Sequence, residues 1–174
     1  MTTIEMEYYV ARYFNWRKNL IVPNISWGMF KHECDLLILT KSGYATEIEI
    51  KISKNDLKKD FNKKHRHIDK DWYGNECDKI KYLYYALPGI NLIEDGHEVG
   101  HALENKFLDC ENLIPEQAGL LLVGEGGYVY KKREAKSKSD YKFTEQERFN
   151  IARLGTMRIW NLKYKRIEQI RKKS

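Results

Sequence analysis

The chain has 174 residues, of which 42% are hydrophobic, 13% aromatic and 32% charged. This length and composition suit one folded domain and exclude a disordered chain. No apolar run approaches the ~20 residues of a membrane span. The start, Met1-Thr2-Thr3-Ile4-Glu5, lacks the basic-then-apolar pattern of a secretory leader, so a cytoplasmic protein with no membrane partner is expected.

Met6, Tyr9, Val10, Tyr13 and Phe14 recur at helical spacing and predict a first helix over Ile4–Arg17. Residues 19–27 read as extended, interrupted by Pro23, and strands follow at 34–39 and 44–52 around a turn at Lys41-Ser42-Gly43. Ser53 caps a helix over 54–66, with Asp56 at its third position; Leu57 and Phe61 face inward and Lys58, Lys59, Lys63 and Lys64 outward. Residues 64–75 read as loop, 80–86 as a buried strand stopped by Pro88-Gly89, and 90–113 as a variable region. Residues 118–123 and 128–132 pair around Gly124-Glu125-Gly126-Gly127. A charged linker over 133–142 leads to Thr144-Glu145-Gln146-Glu147, a capping box that opens a long terminal helix. The order α-β-β-β-α-β predicts an α/β fold, a mixed central sheet flanked by helices. Residues 1–132 form the core domain, and 133–174 form a linker and basic helix packed on it.

Charge is unevenly distributed. Residues 131–174 carry 15 Lys and Arg against 5 Asp and Glu, whereas the rest carries 16 against 20. A mildly acidic body with a basic arm suits a polyanionic partner. Cys34, Cys77 and Cys110 are far apart, lack zinc-ligand spacing and are flanked by acids, which disfavours a nucleophilic thiolate. They imply a reducing compartment.

The chemistry concentrates in Glu47-Ile48-Glu49-Ile50-Lys51 and in Asp35 before it. In a strand, Ile48 and Ile50 point to one face and Glu47, Glu49 and Lys51 to the other. With Asp35 on the adjacent strand, a third carboxylate joins them. Two such charges about 4 Å apart repel by roughly 1–4 kcal/mol. A hard cation such as Mg²⁺ cancels that repulsion and accepts carboxylate oxygens, waters and phosphates as ligands.

An aspartate, a hairpin and then Glu-x-Lys resembles the PD-(D/E)XK nuclease superfamily. Asp35 matches its aspartate, and Glu49 and Lys51 its (D/E)xK half; Cys34 stands where the motif has proline. The longer run from Glu33 to Asp56 is similar to small bacterial and phage DNA-repair nucleases of the MmcB-like kind, over roughly residues 3–130. The resemblance implies a restriction-endonuclease-like core and a Mg²⁺- or Mn²⁺-dependent nuclease acting on DNA in repair, recombination or phage nucleic-acid metabolism. Asp35 and Glu49 would hold the metal with the Ile50 carbonyl, and Lys51 would orient the attacking water. It also implies an acid from the first helix, Glu7 or Glu5, in the metal cluster. Glu47 shares the strand face or sits at its rim.

The expected partner is DNA, and a homodimer stays open. Lys58, the run Lys63-Lys64-His65-Arg66-His67, and the arm residues Lys165, Arg166, Lys172 and Lys173 are candidates for phosphate contacts. Trp72 and Tyr73 could stack on an unpaired base. Tyr82, Tyr84 and Tyr85 read as packing residues. A second reading is a DNA-binding protein that keeps the fold without cleaving.

A third reading comes from His97-Glu98-Val99-Gly100-His101, an H-E-x-x-H string. On a helix its two histidines would bind zinc, with the glutamate activating water. Asp95-Gly96 reads as a turn directly before it, and no further histidine follows; Glu111 or Glu116 would have to complete the site. A surface helix with two solvated histidines is the preferred expectation.

Overall fold

Thr2 accepts from the Glu5 N–H while the Glu5 carboxylate accepts from Thr2, a capping box that starts α1 (Thr3–Tyr13). The computed structural model describes residues 1–25, 30, 32–60, 79–94 and 97–172. The elements after α1 are β1 (Leu20–Ile25), β2 (Cys34–Leu39), β3 (Ala45–Ile50), α2 (Lys54–Asp60), β4 (Ile80–Glu94) and β5 (His97–Asn105). A short 3-10 helix (Leu108–Leu113), β6 (Gly119–Val123), β7 (Val129–Arg133) and α3 (Glu145–Arg171) complete the chain. The seven strands form a mixed sheet in the order β1-β2-β3-β4-β6-β7, with β5 paired to the far half of β4. β3, β4 and β6 run parallel, and the remaining neighbours are antiparallel.

The expected α/β class, a mixed sheet flanked by helices, is observed. Both faces of the central strands are covered, so all six residues of β3 are buried. On one face, α1 sets Met6 and Val10 against Leu36, Ile38, Ile48 and Ile50. The other face carries two separate apolar clusters. Leu57 of α2 packs with Leu83, Tyr85, Leu87, Leu120 and Leu122, while Phe143 and Ile151 pack with Val22, Leu37, Leu39 and Ala45. Register places Glu47 beside Leu37 on β2 and Leu83 on β4, one residue from each cluster. The charged row of β3 therefore runs between two greasy patches rather than into solvent.

Several boundaries differ from the sequence reading. α1 ends at Tyr13, four residues short of Arg17, because Asn15 adopts a left-handed conformation (φ 57°) and the Asn19 side-chain amide donates to the Phe14 carbonyl. β4 does not stop at Pro88-Gly89. Its pairing with β3 ends at Ile50–Ala86, while pairing with β6 continues to Pro88–Val123 and β5 takes over from Gly89. A proline is tolerated where a strand changes partners. Gly89 is required there, since a Cβ would approach Leu103 to 3.0 Å. The region 90–113 is thus a hairpin and a 3-10 helix. Pro23 sits on β1, an edge strand that pairs with β2 alone among the described strands.

Lys81 and Lys79 tie the segment after β7 to the body, through Asp140 (3.0 Å) and Glu147 (2.6 Å). Thr144 and Glu147 form the expected capping box, and Gly155 lies against Val22 of β1. Past Arg158 the apolar side chains of α3 face solvent: Trp160, Leu162, Tyr164, Ile167 and Ile170 are 47–67% exposed. No helix among the described residues is long and apolar enough to cross a membrane.

Candidate active site

The β2–β3 hairpin closes through Thr40 and Tyr44, with Gly43 at φ 90° in the turn. Its register sets Leu36 opposite Ile48 and Leu37 opposite Glu47. Asp35 comes next on β2, and its Oδ2 accepts from the Ile50 N–H at 2.8 Å. The Lys51 ammonium donates to Glu49 Oε2 at 2.7 Å and lies 3.8 Å from Asp35 Oδ2. Glu49 is 2% exposed and Lys51 3%, whereas the Asp35 side chain retains 32% exposure. The backbone of Lys51 is held as well, its N–H donating to the Ala86 carbonyl of β4. Two carboxylates from adjacent strands therefore share one buried ammonium beside a partly open edge.

α1 brings a third carboxylate. It docks closely because Gly127 has no Cβ; one would meet the Tyr9 ring at 2.3 Å, and Arg12 donates to the Gly127 carbonyl at 2.8 Å. This places half-buried Glu7 near Asp35. Burial first, and the Asp35 charge second, push the Glu7 carboxyl above its ordinary range, with Arg158 of α3 opposing them. Glu5 is instead exposed, and its carboxylate caps α1; hydrogen bonding from the Thr2 backbone holds its pKa down. Of the two acids on α1, only Glu7 belongs with Asp35.

Glu47 has a different place from the one its strand position suggests. It is fully buried rather than at the rim, and its Oε1 lies 2.6 Å from Nε2 of His32. Cys34 Sγ is 3.8 Å from the same nitrogen. This second grouping was missed in the sequence, although His32-Glu33-Cys34 followed one hairpin later by Glu47 carries its signal.

The donor set at Asp35, Glu49 and Glu7 is all oxygen, the ligand type that Mg²⁺ and Mn²⁺ prefer. The ammonium between Asp35 and Glu49 shows that the site accommodates positive charge. These residues fit such an ion. Ile50 is joined to Asp35 through its N–H, which places its peptide at the site.

The candidate DNA contacts fall in two groups. Lys58 is exposed on α2, and Lys165, Arg166 and Lys172 are exposed on α3. Lys63, Lys64, His65, Arg66, His67, Trp72, Tyr73 and Lys173 lie outside the described residues, as does the end of the helix expected over 54–66. Tyr84 and Tyr85 are buried and Tyr82 partly so, as expected of packing residues.

The H-E-x-x-H segment is not a helix but β5, with Glu94 of β4 opposite His97 and Ile93 opposite Glu98. Four residues span about 13 Å in a strand, against about 6 Å in a helix. The paired-histidine geometry of a helical zinc peptidase is not formed. The region pairs as a strand because β4 offers a free edge once it leaves β3.

No family model and no curated protein matches the chain. Among solved structures, the chain is similar to a protein of unknown function from Silicibacter pomeroyi, with 18% identity and a TM-score of 0.51. The match covers 93% of this chain and 86% of that one. This similarity is one of fold.

Proposed function

We propose that the protein is a Mg²⁺- or Mn²⁺-dependent nuclease of the PD-(D/E)XK kind acting on DNA in the cytoplasm. The observation that carries this reading is the convergence of Asp35 and Glu49, from adjacent strands, on the Lys51 ammonium. Ion-pair formation alone is a weak reason to bury such a group, since the desolvation of buried charges offsets much of their attraction. A site that holds its charges for chemistry accounts for them better.

Asp35, Glu49 and Glu7, with the Ile50 carbonyl, would hold the ion. When bound, the ion supplies a lowered pKa for an attacking water and neutralises phosphate charge. Lys51 would supply the positive charge that orients the attacking water and stabilises the charge developing on the scissile phosphate. Asp35 is fixed by the Ile50 N–H, so its second oxygen keeps a constant direction. Glu7 enters from α1, where burial and the Asp35 charge hold its carboxyl above the ordinary range, and a bound cation would relieve that repulsion. Lys58 and the exposed cations of α3 attract the phosphate backbone, which the acidic site would otherwise repel.

The test is cleavage of single-stranded, duplex, flap and junction DNA with Mg²⁺, Mn²⁺ or chelator. Cation-dependent hydrolysis of any of these supports the proposal. Binding without hydrolysis under every condition would favour the non-cleaving DNA-binding protein.

A further inference from the structure

Beside the all-oxygen cluster lies a second group of different chemistry. The ligating atoms of His32, Cys34 and Glu47 all lie within 4.8 Å of one another. Cys34 and Glu47 are fully buried, and the His32 side chain is 7% exposed. The chain is shaped to bring them together. Asn24 of β1 adopts a left-handed conformation (φ 50°), which breaks the alternation so that Val22 and Ile25 join the same apolar cluster. Cys34 is the register partner of Ile25, and Glu47 that of Leu37 in that cluster. The His32 ring rests near Phe30, with centroids 6.2 Å apart.

We propose that His32, Cys34 and Glu47 form a zinc-binding site, separate from the Mg²⁺ ligands. One imidazole nitrogen, one thiolate and one carboxylate oxygen are the ligands that zinc takes. Their softness and their burial disfavour Mg²⁺, which demands oxygen ligands and keeps several waters. Zinc bonds of about 2.0–2.3 Å in a tetrahedron put ligand atoms roughly 3.3–3.8 Å apart. The His32–Cys34 separation of 3.8 Å already agrees with this. The His32–Glu47 contact of 2.6 Å must open by about 1 Å or less. Zinc takes the place of the hydrogen between His32 Nε2 and Glu47, leaving a neutral imidazole that carries its one N–H on Nδ1, and the Cys34 thiol proton passes to solvent. Water takes the fourth position. The site braces the start of β2 against β3, and Asp35 is the next residue along. Zinc is thus a positioning element for the catalytic strand, and its binding needs no nuclease activity.

Cobalt(II) titration of chelator-treated full-length protein tests this directly. With excess Mg²⁺ present to occupy the carboxylate cluster, the expected result is one equivalent of Co²⁺, a thiolate-to-cobalt charge-transfer band, and displacement by Zn²⁺. Cys34→Ser should abolish the band, and Glu47→Gln should weaken Zn²⁺ binding at least about tenfold. Asp35→Asn should leave band and stoichiometry unchanged. Circular dichroism confirms the fold of each variant; if Cys34→Ser does not fold, Glu47→Gln and His32→Gln carry the test. A band that survives in folded Cys34→Ser, less than half an equivalent bound by the wild type, or Zn²⁺ affinity unchanged in Glu47→Gln would each overturn the proposal. Loss of the band in Asp35→Asn would also overturn it, by assigning the ion to the carboxylate cluster.

Discussion

Replacing Lys51 by methionine keeps the volume of the side chain and deletes its charge. Glu49, 2% exposed, then loses an ammonium at 2.7 Å, and Asp35 loses one at 3.8 Å. Removing one member of a buried ion pair typically destabilises by about 3–5 kcal/mol. The partial exposure of Asp35 lets water relieve some of the cost there, so about 3 kcal/mol is the better figure. For a chain of this size each kcal/mol moves the melting temperature by about 2–4 °C, giving a fall of roughly 6–12 °C in chelator. Mg²⁺ should reverse much of it. An ion at about a hundred times its Kd stabilises by about 2.7 kcal/mol, and in Lys51→Met it no longer competes with the ammonium. Differential scanning calorimetry of wild type and variant, each with chelator and with saturating Mg²⁺, measures both effects. Equal melting temperatures in chelator, or a Mg²⁺ shift no larger in the variant than in the wild type, would refute the reasoning.

Burial alone would raise the Glu147 pKa, but hydrogen bonds from Lys79, the Thr144 backbone and Tyr141 outweigh it and hold the carboxyl at about 2. Its folded pKa lies below the ordinary glutamate value of 4.5, so its stabilisation is present above that value and is lost as pH falls toward 2. Glu147→Gln should therefore cost about 1 kcal/mol at neutral pH, because solvent screens this partly exposed carboxylate, and little near pH 2, read from denaturant unfolding across that window. Replacing Lys165, Arg166, Lys172 and Lys173 by Gln should weaken DNA binding and flatten its salt dependence while leaving Mg²⁺ affinity unchanged; an unaltered slope in a filter-binding series would move the DNA track to Lys58 and the run at 63–67. His97→Ala and His101→Ala should leave hydrolysis unchanged in a plasmid-nicking assay, because a strand holds these residues too far apart to act as one ligand pair.

The parts of this fold set by local pattern were legible in the sequence. Alternation around Asp35 and Glu49, the Ser53 cap and the glycine-rich hairpin turn at 124–127 each specify their element within a few residues. Parts that depend on a change of partner were not. Nothing near Pro88 announces that β4 will exchange β3 for β5, and His97–His101 carries residues common to helix and strand until β4 supplies an edge. The candidate site was legible to the same extent. Asp35, Glu49 and Lys51 meet because a hairpin register is a local property, and Glu7 joins them through a glycine 120 residues away in sequence, at Gly127. The position of Glu47 was not legible. In an ideal strand it shares a face with Lys51, and the partner it meets, His32, lies before β2 and comes into reach only in the folded structure. In the terminal helix Ile151 is buried and Gly155 lies against Val22, while Phe149 and the apolar residues from Met157 on are exposed.

The most direct test is hydrolysis of branched or duplex DNA by the wild type, Asp35→Asn and Glu49→Gln in Mg²⁺, with the fold of each variant checked by its melting curve. The account predicts that the wild type cuts only when the cation is present and that each variant loses at least about 100-fold in rate, since each removes an ion ligand. Cutting by folded Asp35→Asn or Glu49→Gln at the wild-type rate, or wild-type cutting undiminished by chelator, would contradict it.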